Sequence, residues 1–363
     1  MRRPLLVAVV LLTAALTFSS YAGSAASPAP LAHPQGKGPR PQAKLERGVK
    51  HVPVPQQARA VDTSRPDRVV GNGTSASCTS RKVVRAVAKG GVITFDCGPD
   101  PVVIEMRHTA KVVNTSRRVV LDGGGLVTLS GVGKRRILYQ NTCDKRQIWT
   151  TSHCQDQAHP KLVVQHLTFT RGNSTGKHFE GGGGGAIFDR GGQLKIVDTR
   201  FVDNRCDRSG PDLGGAAVRA LSQFHGRPVY VVNSTFRGGR CSNGSALSSI
   251  GVSWTVLNSV FRGNRAVGHG ANPATPGTKG GGSGGAIYTD GNRYTLRVAG
   301  TLMRHNHANE GGGAIFYVSN DRSGKLRIRW STLENNVSEQ FETRPGIFYL
   351  GRGPIEVRHS IIR

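Results

Sequence analysis

The 363-residue sequence is short of carboxylates: 22 Asp and Glu stand against 49 Lys and Arg, for a formal net charge of +27. With so few acids, no pair can be placed for two-carboxylate glycoside hydrolysis. Also missing is any CxxC pair or Cys/His cluster with metal-ligand spacing. No apolar run reaches the ~20 residues that span a bilayer. The glycine runs Gly181 to Gly185 and Gly280 to Gly282 lack the following helix and the GK[ST] ending of a phosphate cradle, so they read as loops entering strands.

What the chain has instead is repetition. The stretch 194–201, LKIVDTRF, returns as LVVQHLTF from Leu162, VYVVNSTF from Val229, WTVLNSVF from Trp254, LRVAGTLM from Leu296, LRIRWSTL from Leu326 and IEVRHSII from Ile355. The first, third and last positions are apolar in every copy, the period-2 signature of a strand with one buried face. Position two is mostly polar, so that face is expected to be solvated. The copies start 25 to 42 residues apart. A second short strand precedes most of them: GGAIF at Gly184, GGAAV at Gly214, GSALS at Gly244, GGAIY at Gly284, GGAIF at Gly312 and PGIFY at Pro345. Two strands per repeat, glycine at the corners and no helical period between them predict an all-β, single-stranded parallel β-helix, a solenoid of about ten coils.

The chain opens with Arg2 and Arg3, an apolar run from Leu5 to Leu16 and small residues from Ala22 to Ala26. This is the pattern of a signal peptide over residues 1–26, without the flanks of a twin-arginine signal. Residues 27–70 are rich in proline, without apolar period, and read as a flexible linker. Residues 71–363 are left as the β-helix. Near its start, Val83, Val84 and Val87 share a helical face ahead of Gly90, predicting a short helix from Ser80 to Lys89 that caps the first coil. The six cysteines of an exported chain predict three disulfides. Cys78 and Cys97 bracket the helix and the strand VITFDC, and Cys143 and Cys154 close a short loop. Cys206 and Cys241 each follow the Phe of neighbouring coils, Phe201 and Phe236, so one corner brings them within bonding reach.

The GGAI strand followed by an F-x-x-N corner, seen at Phe201 to Asn204 and Phe261 to Asn264 and, with Leu333 to Asn336, less strictly, resembles the repeats of polymorphic outer membrane proteins. VVLDGGGLVTLSG from Val119 resembles an opening coil of the pectin-lyase-like right-handed β-helix superfamily. The resemblance implies a right-handed parallel β-helix in an extracellular, bacterial setting. It does not choose an activity, because such folds host lyases, hydrolases, adhesins and binding proteins. Asn204, Asn264, Asn306 and Asn336 read as corner residues whose amides satisfy backbone groups.

Loops lengthen at one corner, over 173–183, 205–213, 265–283 and 337–345, and in a solenoid such insertions share one side. They carry His178, Glu180, Asp207, Asp212, His269, Lys279, Glu339 and Glu342. Of these, His178, Glu180, His269 and Lys279, with Arg190 and Asp290 on the Gly-Gly strands, are the candidate binding residues. A solvated loop edge is the plainer reading of each. Asp189 and Arg219 occupy equivalent offsets after their Gly-Gly pairs, which places them side by side as an ion pair. A polysaccharide lyase acting by β-elimination would use Arg219 or Lys177 near its base, with Asp189 beside it. Lyases of the resembled superfamily commonly add calcium held by several carboxylates. Asp290, three coils from Asp189, is too far to share an ion with it, and the paired-Asp and His-Gly motifs of polygalacturonases are absent. No other cofactor is implied.

Charge carries more than any motif. The +27 falls to +25 when Arg2 and Arg3 leave with the signal, and basic residues continue through every coil. Such a field attracts polyanions in a salt-dependent way. Export and the lack of a nucleic-acid-binding motif favour an acidic polysaccharide or an anionic cell-envelope polymer over nucleic acid. The main expectation is therefore a secreted, non-catalytic β-helix that binds or adheres to acidic glycan, with the uronate lyase as the alternative. If electrostatics are not the mechanism, Trp254, Tyr230 and Tyr288 are the rings available for stacking on sugars.

Overall fold

The computed structural model describes residues 49–178 and 181–363. Residues 1–26, expected to be a signal peptide, the first part of the 27–70 segment and Glu180 lie outside the described residues. The architecture is all-β, with stacked parallel sheets of 17, 8 and 4 strands, an arrangement compatible with a β-helix. One ladder of parallel strands runs from Arg68–Gly71 through Gly91–Asp96, Arg118–Ser130, Lys161–Thr170, Gln193–Val197, Val229–Val232, Trp254–Leu257, Thr295–Ala299 and Lys325–Arg329 to Glu356–Arg358. The seven recognised copies thus pair with their neighbours in sequence order. The first copy runs on as one strand, Lys161–Thr170, and after a two-residue break each of the other six continues into a second ladder, Arg200–Val202 pairing with Thr235–Arg237 and that with Val260–Arg262. The first residue of the break is in the left-handed region: Asp198, Asn233, Asn258, Trp330 and His359 have φ between 47° and 51°. Asp and Asn tolerate that conformation better than most side chains.

The alternation in the sequence matches the observed burial. Leu194 and Ile196 are 2% and 0% exposed, as are the equivalent Val229 and Val231 at 0% each. Identical positions of successive coils lie one strand spacing apart, so side chains form columns. Phe169, Phe201, Phe236 and Phe261 stack with ring centroids 5.3, 4.7 and 4.7 Å apart. Beside them the corner amides form a chain: Asn264 donates to Asn306, and Asn306 to Asn336, at 2.9 Å each. Each also donates to a backbone carbonyl, of Phe236, Phe261 and Met303 respectively. The asparagines thus satisfy backbone groups at the turn, as expected.

The helix runs Ser80–Lys89 and buries Val83, Ala86 and Val87. The Thr79 side chain accepts from the Lys82 N–H at its start, and Gly90 has φ 68° at its end. The three disulfides pair Cys78 with Cys97, Cys143 with Cys154 and Cys206 with Cys241, with Cα separations of 5.6, 4.9 and 4.8 Å. No helix among the described residues is long and apolar enough to cross a membrane.

The described part of the proline-rich segment is not a free linker. Residues 50–67 run as a strap along the outer face of the first ladder, passing coils in reverse order. Lys50 lies over the Trp330 ring at 4.4 Å. Val52 exchanges two hydrogen bonds with the Asn258 amide, at 2.8 and 2.9 Å. Ala58 is buried among Val197, Val232 and Leu257. Val61 exchanges two bonds with the Gln165 amide, at 2.8 and 2.9 Å, and Thr63 donates to Asp122 at 2.7 Å. Asp67 accepts from the Val92 N–H at 2.6 Å, and the chain then enters the first strand. The face expected to be solvated is therefore partly covered, which is why Val120 and Val163 on it are buried.

Candidate functional site

The long loops do fall beside the Gly-Gly strands, and they cover a column rather than open a cleft. Outward positions of that sheet stack in register as Tyr139, Phe188, Arg219, Ser248, Tyr288, Phe316 and Phe348. Arg219 is 2% exposed. Its guanidinium donates to Ser248 Oγ at 2.5 Å and to the Asp212 carbonyl at 2.6 Å, while Nε has no partner. Desolvation pushes its pKa down to about 10, against the pull of Tyr288, Asp212 and Asp290. It therefore remains a cation at neutral pH and holds its protons on its own chain.

Around it the loops gather a polar cluster. The Asn272 amide donates to Asp212 Oδ1 and Asp290 Oδ2, each at 3.2 Å, and to the Tyr288 hydroxyl. That hydroxyl in turn donates to Asp290 Oδ2 at 3.3 Å, and Asn320 donates to Asp290 Oδ1 at 3.1 Å. Burial raises the Asp290 carboxyl above its ordinary value, opposed by donors from Gly291, Asn320 and Tyr288. Burial also raises the Tyr288 phenol. Chemically this is a network that pins the 265–283 loop to the sheet, with its donors and acceptors largely spent on one another.

Of the residues predicted from sequence, Arg219 and Asp290 meet in this cluster. The expected Asp189–Arg219 pair does not form. Arg219 is in register with Phe188, and Asp189 with Ala220, so the two point to opposite faces. The reason is local: the second Ala of Gly-Gly-Ala-Ala-Val slides the frame by one residue, pairing Ile187 with Val218. Asp189 lies inside, fully buried, accepting from Gln140 at 2.7 Å and from Gln223, and desolvation raises its pKa well above the ordinary value. Arg190, one residue further, pairs in register with Asn141. Lys177 is exposed in its loop. The neighbouring His178 reaches Asp207 at 2.7 Å, His269 meets the Asn309 amide at 3.0 Å, and Lys279 is exposed. These loop residues are dispersed rather than convergent. Two of the three candidate rings are also out of reach: Trp254 and Tyr288 are 0% exposed, Trp254 donating to Ser249 Oγ at 2.9 Å. Among the described residues no three His, Cys, Asp or Glu side chains gather as a metal-binding group.

A different surface was missed. At the corner after the second ladder, Arg205, Arg240, Arg265 and His307 follow one another in register on successive coils. Three residues earlier in the chain, Arg237, Arg262 and Arg304 form a second column. Arg205, Arg237, Arg240, Arg262 and Arg265 are exposed. At one end Glu334 binds Arg304 at 2.7 Å through Nε and Arg363 at 2.9 Å, and Glu339 reaches His307 at 2.8 Å. The signal was in the repeat: arginine stands one and four residues after the stacked Phe in TFRGGRC and VFRGNRA, and four after it in RFVDNRC.

No family model, curated protein or solved structure matches this chain.

Proposed function

We propose that this chain is a secreted, right-handed parallel β-helix of the pectin-lyase-like class, with about ten coils and the Ser80–Lys89 helix as its N-terminal cap. On this reading it binds acidic polysaccharide or an anionic envelope polymer without catalysis. The column of Arg205, Arg240 and Arg265 carries the proposal. Exposed guanidinium groups repeat at one strand spacing, ~4.8 Å, so they present like charges at fixed intervals on a stiff surface. A linear polyanion lying along them meets several at once, and guanidinium suits carboxylate, sulfate and phosphate alike. The uronate-lyase alternative, with or without calcium, has weaker support: Arg219 is protonated and covered, Lys177 is solitary, and Asp189 faces the interior.

The test is binding of the full chain to polygalacturonate, with a neutral glucan of equal length as control. Affinity is expected to fall steeply between about 0.05 and 0.5 M salt, as exposed charges are screened. The double variant Arg240→Glu/Arg265→Glu is expected to weaken polymer binding about tenfold or more at low salt. Equal binding of the neutral glucan, or release of unsaturated products from polygalacturonate, overturns the proposal.

A further inference from the structure

A groove lined by cations lies under the strap, built from residues other than those of the arginine columns. Gln57 and Val61 of the strap and the outer positions of four successive coils enclose a groove of about 590 Å³. Those positions are Arg118 and Val120, then Lys161 and Val163, Gln193 and Lys195, and Pro228 and Tyr230. Val120 and Val163 make an apolar floor, and the amides of Gln57 and Gln193 and the half-buried Tyr230 ring lie at its walls. Arg118, Lys161, Lys195 and Arg227 all line it. Against these four cations, the one carboxylate recorded among the described residues is Asp67, 3.5 Å from Arg118. The other polar partners are neutral: Lys195 Nζ donates to the carbonyls of Arg59 at 2.7 Å and Gln57 at 3.3 Å, and Arg227 donates to Gln193 at 3.3 Å.

We infer that this groove binds a short acidic oligosaccharide. The volume lies in the range of pockets that take a small ligand whole, roughly 300–1,000 Å³. Arg118 and Lys161 stand in register one strand spacing apart, ~4.8 Å, and Lys195 lies one coil on and two residues further along the strand. The cations thus cross three coils on a diagonal, which suits a chain of about three uronate units carrying one carboxylate each. Valine floor and tyrosine ring offer apolar contact to the C–H faces of sugar rings, and the Gln57 amide offers partners to hydroxyls. Because it uses the strap as a wall, the groove exists only while residues 57–61 are docked. The ligand class rests on the acidic-glycan reading above, but the location does not rest on the arginine columns.

The experiment is calorimetric titration of the full chain with trigalacturonate, and with a neutral trisaccharide as control. Saturable binding of the acidic trimer alone is expected. Lys161→Glu, at an exposed position, and Tyr230→Ala are each expected to weaken it about tenfold, whereas Arg352→Glu, the same charge change elsewhere, stays within about twofold. Absence of saturable trimer binding, or equal losses in Lys161→Glu and Arg352→Glu, overturns the groove. Polymer binding that survives while the trimer fails to bind would sink the groove alone. Trimer binding that persists while Arg240→Glu/Arg265→Glu leaves polymer affinity unchanged would sink the column reading alone.

Discussion

The corner around Arg219 and the face bearing Arg205, Arg240 and Arg265 are made from the same repeat and use the same side chain, yet they differ in what surrounds it. At the corner, loops fold back and the guanidinium is almost wholly enclosed, donating to Ser248 and to the Asp212 carbonyl. On the open face the guanidinium groups are exposed and succeed one another coil after coil. An enclosed charge must be satisfied by its own chain, because desolvation is otherwise too costly. An exposed row of like charges has no such requirement and is free to meet an external anion. Loop length marks where a solenoid elaborates its surface, but here the long loops close over Arg219, whereas Arg205 and Arg265, the first residues of two of those loops, stay exposed in register with Arg240.

The largest effect expected from this contrast is on stability. Arg219→Ala removes the donors that satisfy Ser248 Oγ and the Asp212 carbonyl and leaves a cavity beneath the 265–283 loop. Breaking such a buried arrangement costs about 3 kcal/mol. Chemical denaturation should show that loss, with polymer affinity of the folded variant unchanged. A stable Arg219→Ala protein that no longer binds polymer would reverse the roles assigned to the two regions.

The strap supplies a smaller effect that depends on pH. His166 lies at the turn beneath it, 2.9 Å from Asp122 and 3.6 Å from Asp198. The bonds to those carboxylates raise its pKa to about 9, against desolvation. Burial alone would raise the Asp122 carboxyl, but bonds from His166, Gln165, Gly124 and Thr63 hold it at about 2. The raised histidine contributes stability that is whole below its unfolded value near 6.5 and is lost as pH rises through about 9. The depressed carboxylate contributes stability that is whole above about 4 and is lost as pH falls through about 2. The strap's anchor is thus firmest between about pH 4 and 6.5. The thermal midpoint should decline from pH 7 to 9 in the native protein, and His166→Asn should flatten that decline. An unchanged slope in the variant would show that this cluster does not set the pH response.

Much of the ladder was legible in the sequence, because burial of Leu194 and Ile196 follows directly from alternation, and the Cys206–Cys241 bond from two cysteines at one corner. The helix was legible too, since its face and its glycine stop are local. The strap was not. Proline-rich composition reports the absence of a core-forming period, whereas its docking rests on side chains more than a hundred residues away, Gln165 and Asn258. The Asp189–Arg219 pairing failed because Gly-Gly was used as the frame, and one extra alanine moves every later side chain to the other face. Asn272 carried no signal, because only a loop folded back on itself brings it to Asp212 and Asp290. The arginine columns were legible and overlooked: they sit at fixed offsets from the phenylalanines that define the repeat.

The smallest effect concerns the hydroxyl of Tyr288, the group in the corner nearest to a catalytic one. It donates to Asp290 and accepts from Asn272, and its phenol is raised by burial, so at neutral pH it is a protonated group inside a closed network. Tyr288→Phe keeps the ring in its column against Phe316, where the centroids are 5.0 Å apart, and deletes only the hydroxyl. Loss of one buried hydrogen-bonding group costs about 1 kcal/mol. Denaturation should register a shift of that size, and binding of polygalacturonate should not change. If Tyr288→Phe instead abolishes binding while the fold is intact, the loops must open in solution to admit the polymer. The corner would then be the binding site, and the open arginine face only a means of drawing the polymer in.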